Sequence, residues 1–521
     1  MTPTINGDIN SGQSYWLDVF GYDPFTKPGN LTWNENPTRI DTAGSVITDL
    51  ILAGKVRVES GILYVYAIGH TGRLYKIQVN NPATFNPDYD NPVLLATLTA
   101  GTPTFTRGAF IDFFGATERI YISHDVGVTR IDFNGTNETA ISGTWTQNVP
   151  KPLQQFLGRL YIGNGTNIAE IDSTATVTTS TKLSPGFPIN TQVRDIRITP
   201  EGTYIKMVVT ELPLSNITST SPDTPTISPV DSYTFLWNGT DVGYTSSRFY
   251  PSIILTAAIM FGDLEYLFGY DSFSQAVYNP VRKLLTSLPD VNADSSLPNG
   301  IISIGNLVQW ISVLGFGGFG NTIVQSYGNI ADYDNTNGFW APNFPIPTGT
   351  ETDAVRAPFQ LLVSNIGEGS SSSGYTDNIF GTPKIYYSVL ETSSAPTTAY
   401  KLYKWPIFPT GLGTAITDGL FQTQNQLFSK KVTLKQVRVY GQPWVTNNAF
   451  TIDLIGSNDI VIPGSSQTFT AGTNLVVGDD FAWYNPASEP VYSLGLRITN
   501  AGTANHVIQK VEIDYDDKGG K

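Results

Sequence analysis

Apolar and polar residues alternate along this chain in short runs, and the runs come in pairs. The clearest pair is Leu157-Gly158-Arg159-Leu160-Tyr161-Ile162-Gly163-Asn164 and Gly165-Thr166-Asn167-Ile168-Ala169-Glu170-Ile171-Asp172. Period-2 runs that flank Asn-Gly predict a β-hairpin, because the tight type I′ turn needs positive φ at both central residues. The phrase recurs with variations at 61–66 with 73–77 and at 118–122 with 128–133. Looser copies follow at 204–209 with 233–237, 264–268 with 276–278, 307–313 with 322–327, and 384–389 with 400–404.

Upstream of most copies lies another apolar stretch, at 55–58, 108–114, 193–198, 252–260, 300–304 and 359–363. The repeating unit is therefore three or four short antiparallel strands. Copies begin roughly 40 to 75 residues apart, and the shorter spacings are those of propeller blades. One such sheet cannot bury both faces alone, whereas radial repetition shields each face with a neighbour. The expected fold is all-β: a β-propeller of six to seven blades followed by a C-terminal β-sandwich.

The sandwich is expected because the pattern changes near 430. The segments 431–440, 450–455, 493–499 and 507–515 alternate strictly, and the hairpin phrase is gone. The expected organisation is an N-terminal arm over 1–30, a propeller over 31–429, a jelly-roll-like sandwich over 430–516 and a tail over 517–521. Leu31-Thr32-Trp33 is expected to close the ring by joining the last blade. The arm carries Tyr15, Trp16, Phe20 and Phe25, too apolar for a free tail, and is expected to pack on the body or on a neighbouring subunit.

Composition changes the picture in two ways. Only 14% of the 521 residues are charged, so the strands and turns lean on Thr, Ser, Asn and Gly. The net charge of -14 opposes binding of a polyanion through counterion release. The chain has no cysteine, no apolar run of membrane-spanning length, and an N-terminal stretch unlike an export signal.

Few motifs point to chemistry. Gly315 to Gly320 has the G-x-G-x-x-G spacing, but a strand pattern follows where a dinucleotide site needs a helix. Asp332 to Gly338 reads as an Asx-rich turn in place of a calcium loop. His70, His124 and His506 lie far apart in sequence. The sequons beginning at Asn134, Asn164 and Asn238 read as turns. Trp444, Trp483 and Tyr484 could stack a sugar, although core packing or a subunit contact is the plainer use of such residues. No cofactor, metal or catalytic residue is expected, and the chain is read as no enzyme.

Two resemblances add to this reading. Ser123-His124-Asp125-Val126-Gly127-Val128-Thr129 resembles the Asp-box of sialidase-like propellers, with Arg130 where that family has tryptophan. The resemblance implies a structural turn tied by the aspartate. The chain as a whole resembles propeller-bearing tail nozzle and tail hub proteins of tailed bacteriophage virions. That likeness is carried by Gly72-Arg73-Leu74-Tyr75, Gly158-Arg159-Leu160-Tyr161, Ile120-Tyr121-Ile122 and the strand 435–440. It implies a virion structural protein assembled in the host cytoplasm, a six-fold ring around a DNA channel with an acidic lumen, and partners that are copies of itself and other tail proteins. The competing reading is a glycan-binding or glycan-hydrolysing propeller.

Overall fold

In the computed structural model, the described residues are 47, 49, 51–79, 91–105, 108–199, 201–211, 231–251, 419–423, 425–442, 449–457, 460–470, 481–487, 489–502 and 507–516, together with the strands before residue 40 and between 254 and 406. Every regular element among them is a β-strand. The chain divides into two compact units, one of residues 38–321 and 346–404, the other of 1–37, 322–345 and 405–521.

Seven four-stranded antiparallel sheets follow one another along the chain. Blade 1 is Ile51–Glu59, Ile62–Gly69, Arg73–Gln78 and Asn91–Thr97; blade 2 is Phe110–Phe114, Arg119–His124, Gly127–Ile131 and Thr139–Ala140. Blade 3 is Leu153–Phe156, Arg159–Asn164, Asn167–Ile171 and Val177–Thr179; blade 4 is Thr191–Ile198, Ile205–Glu211, Ser232–Trp237 and Ser246–Tyr250. Blade 5 runs from Ile254–Phe261 to Lys283–Leu288, and blade 6 from Ile301–Ile304 to Gly338–Pro345. Each recurrent hairpin of the sequence is the second and third strand of a blade. The hairpin turn is a two-residue one but lies one residue later than expected: Asn164 pairs with Asn167, so Gly165 and Thr166 are its central residues, and of the two only Gly165 has positive φ, at +63°, which is not the type I′ pattern.

First strands of successive blades lie against one another from blade 1 to blade 5, and that of blade 7 lies against blade 1. They therefore form the inner edge of the β-propeller. Apolar residues that alternate along the strands fill the gaps between blades. Leu52, Tyr66, Ile68 and Leu74 of blade 1 meet Ile111, Phe113, Ile120 and Ile122 of blade 2. Phe114 and Tyr121 meet Leu160 and Ile162 across the next gap. Tyr161 and Ile168 meet Met207, Val209, Phe235 and Trp237 across the one after.

Ring closure differs in detail from the expectation. Blade 7 is Gln360–Leu362, Lys384–Leu390 and Tyr400–Pro406, completed by Thr38–Arg39 from the start of the chain, with Arg39 opposite Tyr403. Leu31–Trp33 instead pairs with Val507–Asp516, Leu31 facing Ile508. Leu402 of blade 7 is buried with Ile51, Leu63, Val65 and Tyr75 of blade 1, which closes the ring with an apolar contact.

The C-terminal module is a β-sandwich around one core. The 17-residue strand Gln426–Gln442 pairs near its start with Val491–Asn500 and further on with Val507–Asp516, so it passes between the two layers. Val437, Val439, Phe450, Ile452, Leu496, Ile498, Val511 and Ile513 fill the space between them. The boundary falls earlier than 430, because Leu420–Thr423 is already a strand of this sheet. Strands of the N-terminal segment also belong to it: Trp16–Phe20 pairs with Leu420–Thr423, and Tyr22–Asp23 with Leu31–Trp33.

Candidate functional site: the inner edge of blades 1 to 4

The first strands of blades 1 to 4 carry the polar groups best placed for chemistry or contact. Blade 1 contributes Lys55, Arg57 and Glu59, blade 2 Asp112, blade 3 Gln155, and blade 4 Arg194, Asp195 and Arg197. Successive side chains on a strand point into the gaps on opposite sides of the blade, so these polar groups sit beside the apolar interblade packing, as Arg57 does over Phe133.

Asp112 sits in the middle of an otherwise apolar strand and is buried. Its carboxylate is in close contact with Lys55 Nζ of blade 1 and accepts the Phe113 N–H at 2.8 Å. From blade 3, Gln155 Nε2 donates to the Phe113 carbonyl and lies 3.5 Å from the Asp112 carboxylate. One carboxylate thus ties three blades together. Arg57 caps the same junction lower down. Its guanidinium lies 3.7 Å from the Phe133 ring centroid and pairs with Glu59 at 2.7 Å and Glu118 at 2.9 Å. Burial works against the Arg57 charge, but the two glutamates raise its pKa further. Burial likewise opposes ionisation of Glu59, and bonds from Lys76, Tyr66 and Arg57 outweigh it, holding that carboxyl low. In blade 4, Arg197 Nε lies 3.0 Å from both Asp195 oxygens.

The turns between second and third strands are fixed by a second set of groups. Asp49, fully buried, accepts from the Thr71 N–H and hydroxyl and contacts His70 Nδ1. In blade 2 the Gly127 N–H donates to His124 Nδ1 at 3.2 Å, which leaves Nε2 to carry the proton toward the Thr129 hydroxyl 3.1 Å away. Burial and the Lys151 cation push His124 down to about 4. Lys151 Nζ donates to the carbonyl oxygens of Asp125, at 2.6 Å, and Val149, and burial pulls its pKa down to about 8. In blade 3, Asn164 accepts the Thr146 N–H and donates to the Thr144 and Ser180 carbonyls.

Sequence-predicted residues fall as follows. The Asp-box turn forms, but His124 closes it with its ring, while the Asp125 backbone bonds Thr104, Asn148 and Lys151. Asn134 and Asn238 fold back as turn residues, each accepting from the threonine two residues on. Trp483 packs toward the sandwich core, its ring 6.3 Å from Phe469, whereas Tyr484 is 68% exposed. Successive strand residues face opposite ways, so these two do not share a platform; Trp444 lies outside the described residues. Trp16 and Phe20 lie on a strand paired within the chain, opposite Thr423 and Leu420, and Tyr15 and Phe25 lie outside the described residues. So do His506, Gly315 to Gly320 and Asp332 to Asn337.

The inner edge is not acidic where it is described. Lys55, Arg57, Arg194 and Arg197 stand among Glu59, Asp112 and Asp195, and each of these carboxylates is ion-paired. Asp49 and Lys151 carry no local signal in the sequence because their roles depend on distant backbone, and Asn164, legible as a turn residue, gives no sign of its bonds to Thr144 and Ser180. Asp112 did leave a signal, a lone charge inside Phe-Ile-Asp-Phe-Phe. Among the described residues no cluster of three or more His, Asp or Glu is grouped to hold a metal ion, and no helix is long and apolar enough to cross a membrane.

No protein-family model matches the sequence, and no curated protein matches it. Solved structures with similar folds include the extracellular domain of a one component system from B. thetaiotaomicron, at 10% identity and TM-score 0.37, covering 94% of this chain and 60% of that one. The chain thus spans about 60% of that domain's length. The computationally designed Ika8 protein is 11% identical with TM-score 0.36, covering 71% of this chain and 100% of the design. The Dos1 propeller is 9% identical with TM-score 0.38, covering 76% of this chain and 93% of that one. The propeller assignment rests on the strand order of the chain itself.

Proposed function

We propose that this protein is a non-enzymatic structural component of a bacteriophage virion, an oligomeric tail ring protein of the nozzle or hub kind that surrounds the DNA channel. It works in the virion, after assembly in the host cytoplasm, beside copies of itself and other tail proteins. DNA passes it without base-specific contact. The observation that carries the reading is where polar and apolar groups are spent. The buried carboxylates Asp49, Asp112 and Asp195, the buried His124 and Lys151 are all taken up in joining turns and blades. Large apolar side chains meanwhile stand in solvent, with Ile189 83%, Leu427 77% and Tyr484 68% exposed. Groups used this way favour an assembly part whose outer residues are covered by neighbours over a catalyst with convergent free carboxylates.

Size-exclusion chromatography with light scattering on the purified full chain tests it. A defined oligomer that dissociates when Leu427→Asp and Tyr484→Asp are combined is the expected result. A monomer at every concentration, joined to selective retention on a glycan array, would overturn the reading in favour of the glycan-binding alternative.

A further inference from the structure

The two faces of blade 4 are made of different material. On one, Val193, Ile196, Met207, Val209, Phe235 and Trp237 pack against blade 3. The other holds the intervening residues in cross-strand rows: Gln192, Thr210 and Ser232 in one, Asp195, Val208 and Thr234 in the next. The first strand of blade 5, Ile254–Phe261, lies against the first three strands of blade 4. Thr210 and Ser232 meet it: the Thr210 hydroxyl donates to the Leu255 carbonyl at 2.8 Å, and the Leu255 N–H donates to Ser232 Oγ at 3.0 Å. Gln192 and Thr234 are both 0% exposed, yet neither amide atom of Gln192 nor the Thr234 hydroxyl has a hydrogen-bond partner.

We propose that the junction between blades 4 and 5 is where this ring parts: a seam whose blade 4 face is buried and polar and carries unpaired groups, and that opens while each blade stays folded. A buried polar group without a partner loses its hydration and gains nothing in return, so contact is penalised at this seam and relieved when water enters. The faces described at four other junctions are lined mainly by apolar residues. The 7/1, 1/2, 2/3 and 3/4 gaps each hold an apolar cluster, including the 7/1 gap where the last blade meets the first. No backbone ladder joins blade 4 to blade 5, since each is a separate four-stranded sheet. Opening therefore breaks side-chain contacts and the bonds to Leu255 but leaves both ladders whole, as sub-global openings do.

The chain contains no cysteine, so single thiols report cleanly on each seam. Val208→Cys reads the 4/5 junction, Ile122→Cys the 1/2 junction and Leu402→Cys the 7/1 junction; all three positions are fully buried. Under native conditions the thiol at 208 should react with a maleimide at least about tenfold faster than the other two. Adding Gln192→Leu and Thr234→Val should slow that reaction severalfold, because the unpaired groups are gone. Thr234→Cys serves as a second reader on the same face if Val208→Cys does not fold. Equal rates at all three seams would overturn the proposal. So would faster labelling after the double substitution, which would mean that those polar groups hold the seam shut through a bound partner.

Discussion

Single side chains in this protein act by joining pieces of backbone far apart in sequence, and their removal should be felt accordingly. Asp112→Ala leaves Lys55 without its carboxylate at a three-blade contact. Because Lys55 is partly exposed, the loss should be below that of a fully buried pair, about 1–3 kcal/mol by denaturant unfolding. His124 gives a pH dependence. Its folded pKa, about 4, lies below the ordinary 6.5, so the unfolded chain binds a proton in that window and the folded chain does not. Its contribution is therefore intact above pH 6.5 and is lost as pH falls toward 4, by up to about 3 kcal/mol. His124→Gln should flatten stability between pH 6.5 and 4 relative to the parent, measured by chemical denaturation at each pH. Gly163 is a matter of space: a Cβ there would lie 2.7 Å from Pro152 Cδ and 2.8 Å from Val193 Cβ of the next blade. Gly163→Ala should cost about 1–3 kcal/mol through overpacking. The glycine in Leu-Tyr-Ile-Gly-Asn was visible in the sequence, but its close neighbour is thirty residues away in another blade.

At the scale of elements, hairpins were legible and their partners were not. Each second and third strand carried enough alternation, and often a turn signal, to be found locally. Leu153–Phe156 was missed as a first strand because Gln154 and Gln155 interrupt any apolar run, and pairing with Arg159–Asn164 supplies what propensity does not. Leu31–Trp33 was recognised as a strand but assigned to the ring; it completes the sandwich, and Thr38–Arg39 completes the ring. Two short strands so close in sequence give no local sign of which sheet each joins. Their placement predicts the effect of truncation. Removing residues 1–37 uncovers the sandwich edges at Leu420–Thr423 and Val507–Asp516 and should lower the first thermal transition by about 5 °C or more, with increased aggregation, while the blades persist. Calorimetry and light scattering on the truncated chain would check both effects.

For the whole molecule, the repeated pattern determined the class of architecture. A chain of period-2 hairpins at recurring intervals, without helical periodicity, can bury its sheets by ringing them, and that follows from local alternation and strand length alone. The separate character of the last ninety or so residues followed too, from the disappearance of the hairpin phrase. What alternation cannot carry is who stands across each face. Only the tertiary structure decided that the carboxylates described on the inner edge of blades 1 to 4 are ion-paired with basic neighbours, that Trp483 and Tyr484 look in opposite directions, and that one face of blade 4 is polar where its other face is apolar. These outcomes depend on contacts between residues tens to hundreds of positions apart. The free energy of such contacts is set by shared burial and by the presence of a complementary group, which no stretch of sequence contains by itself.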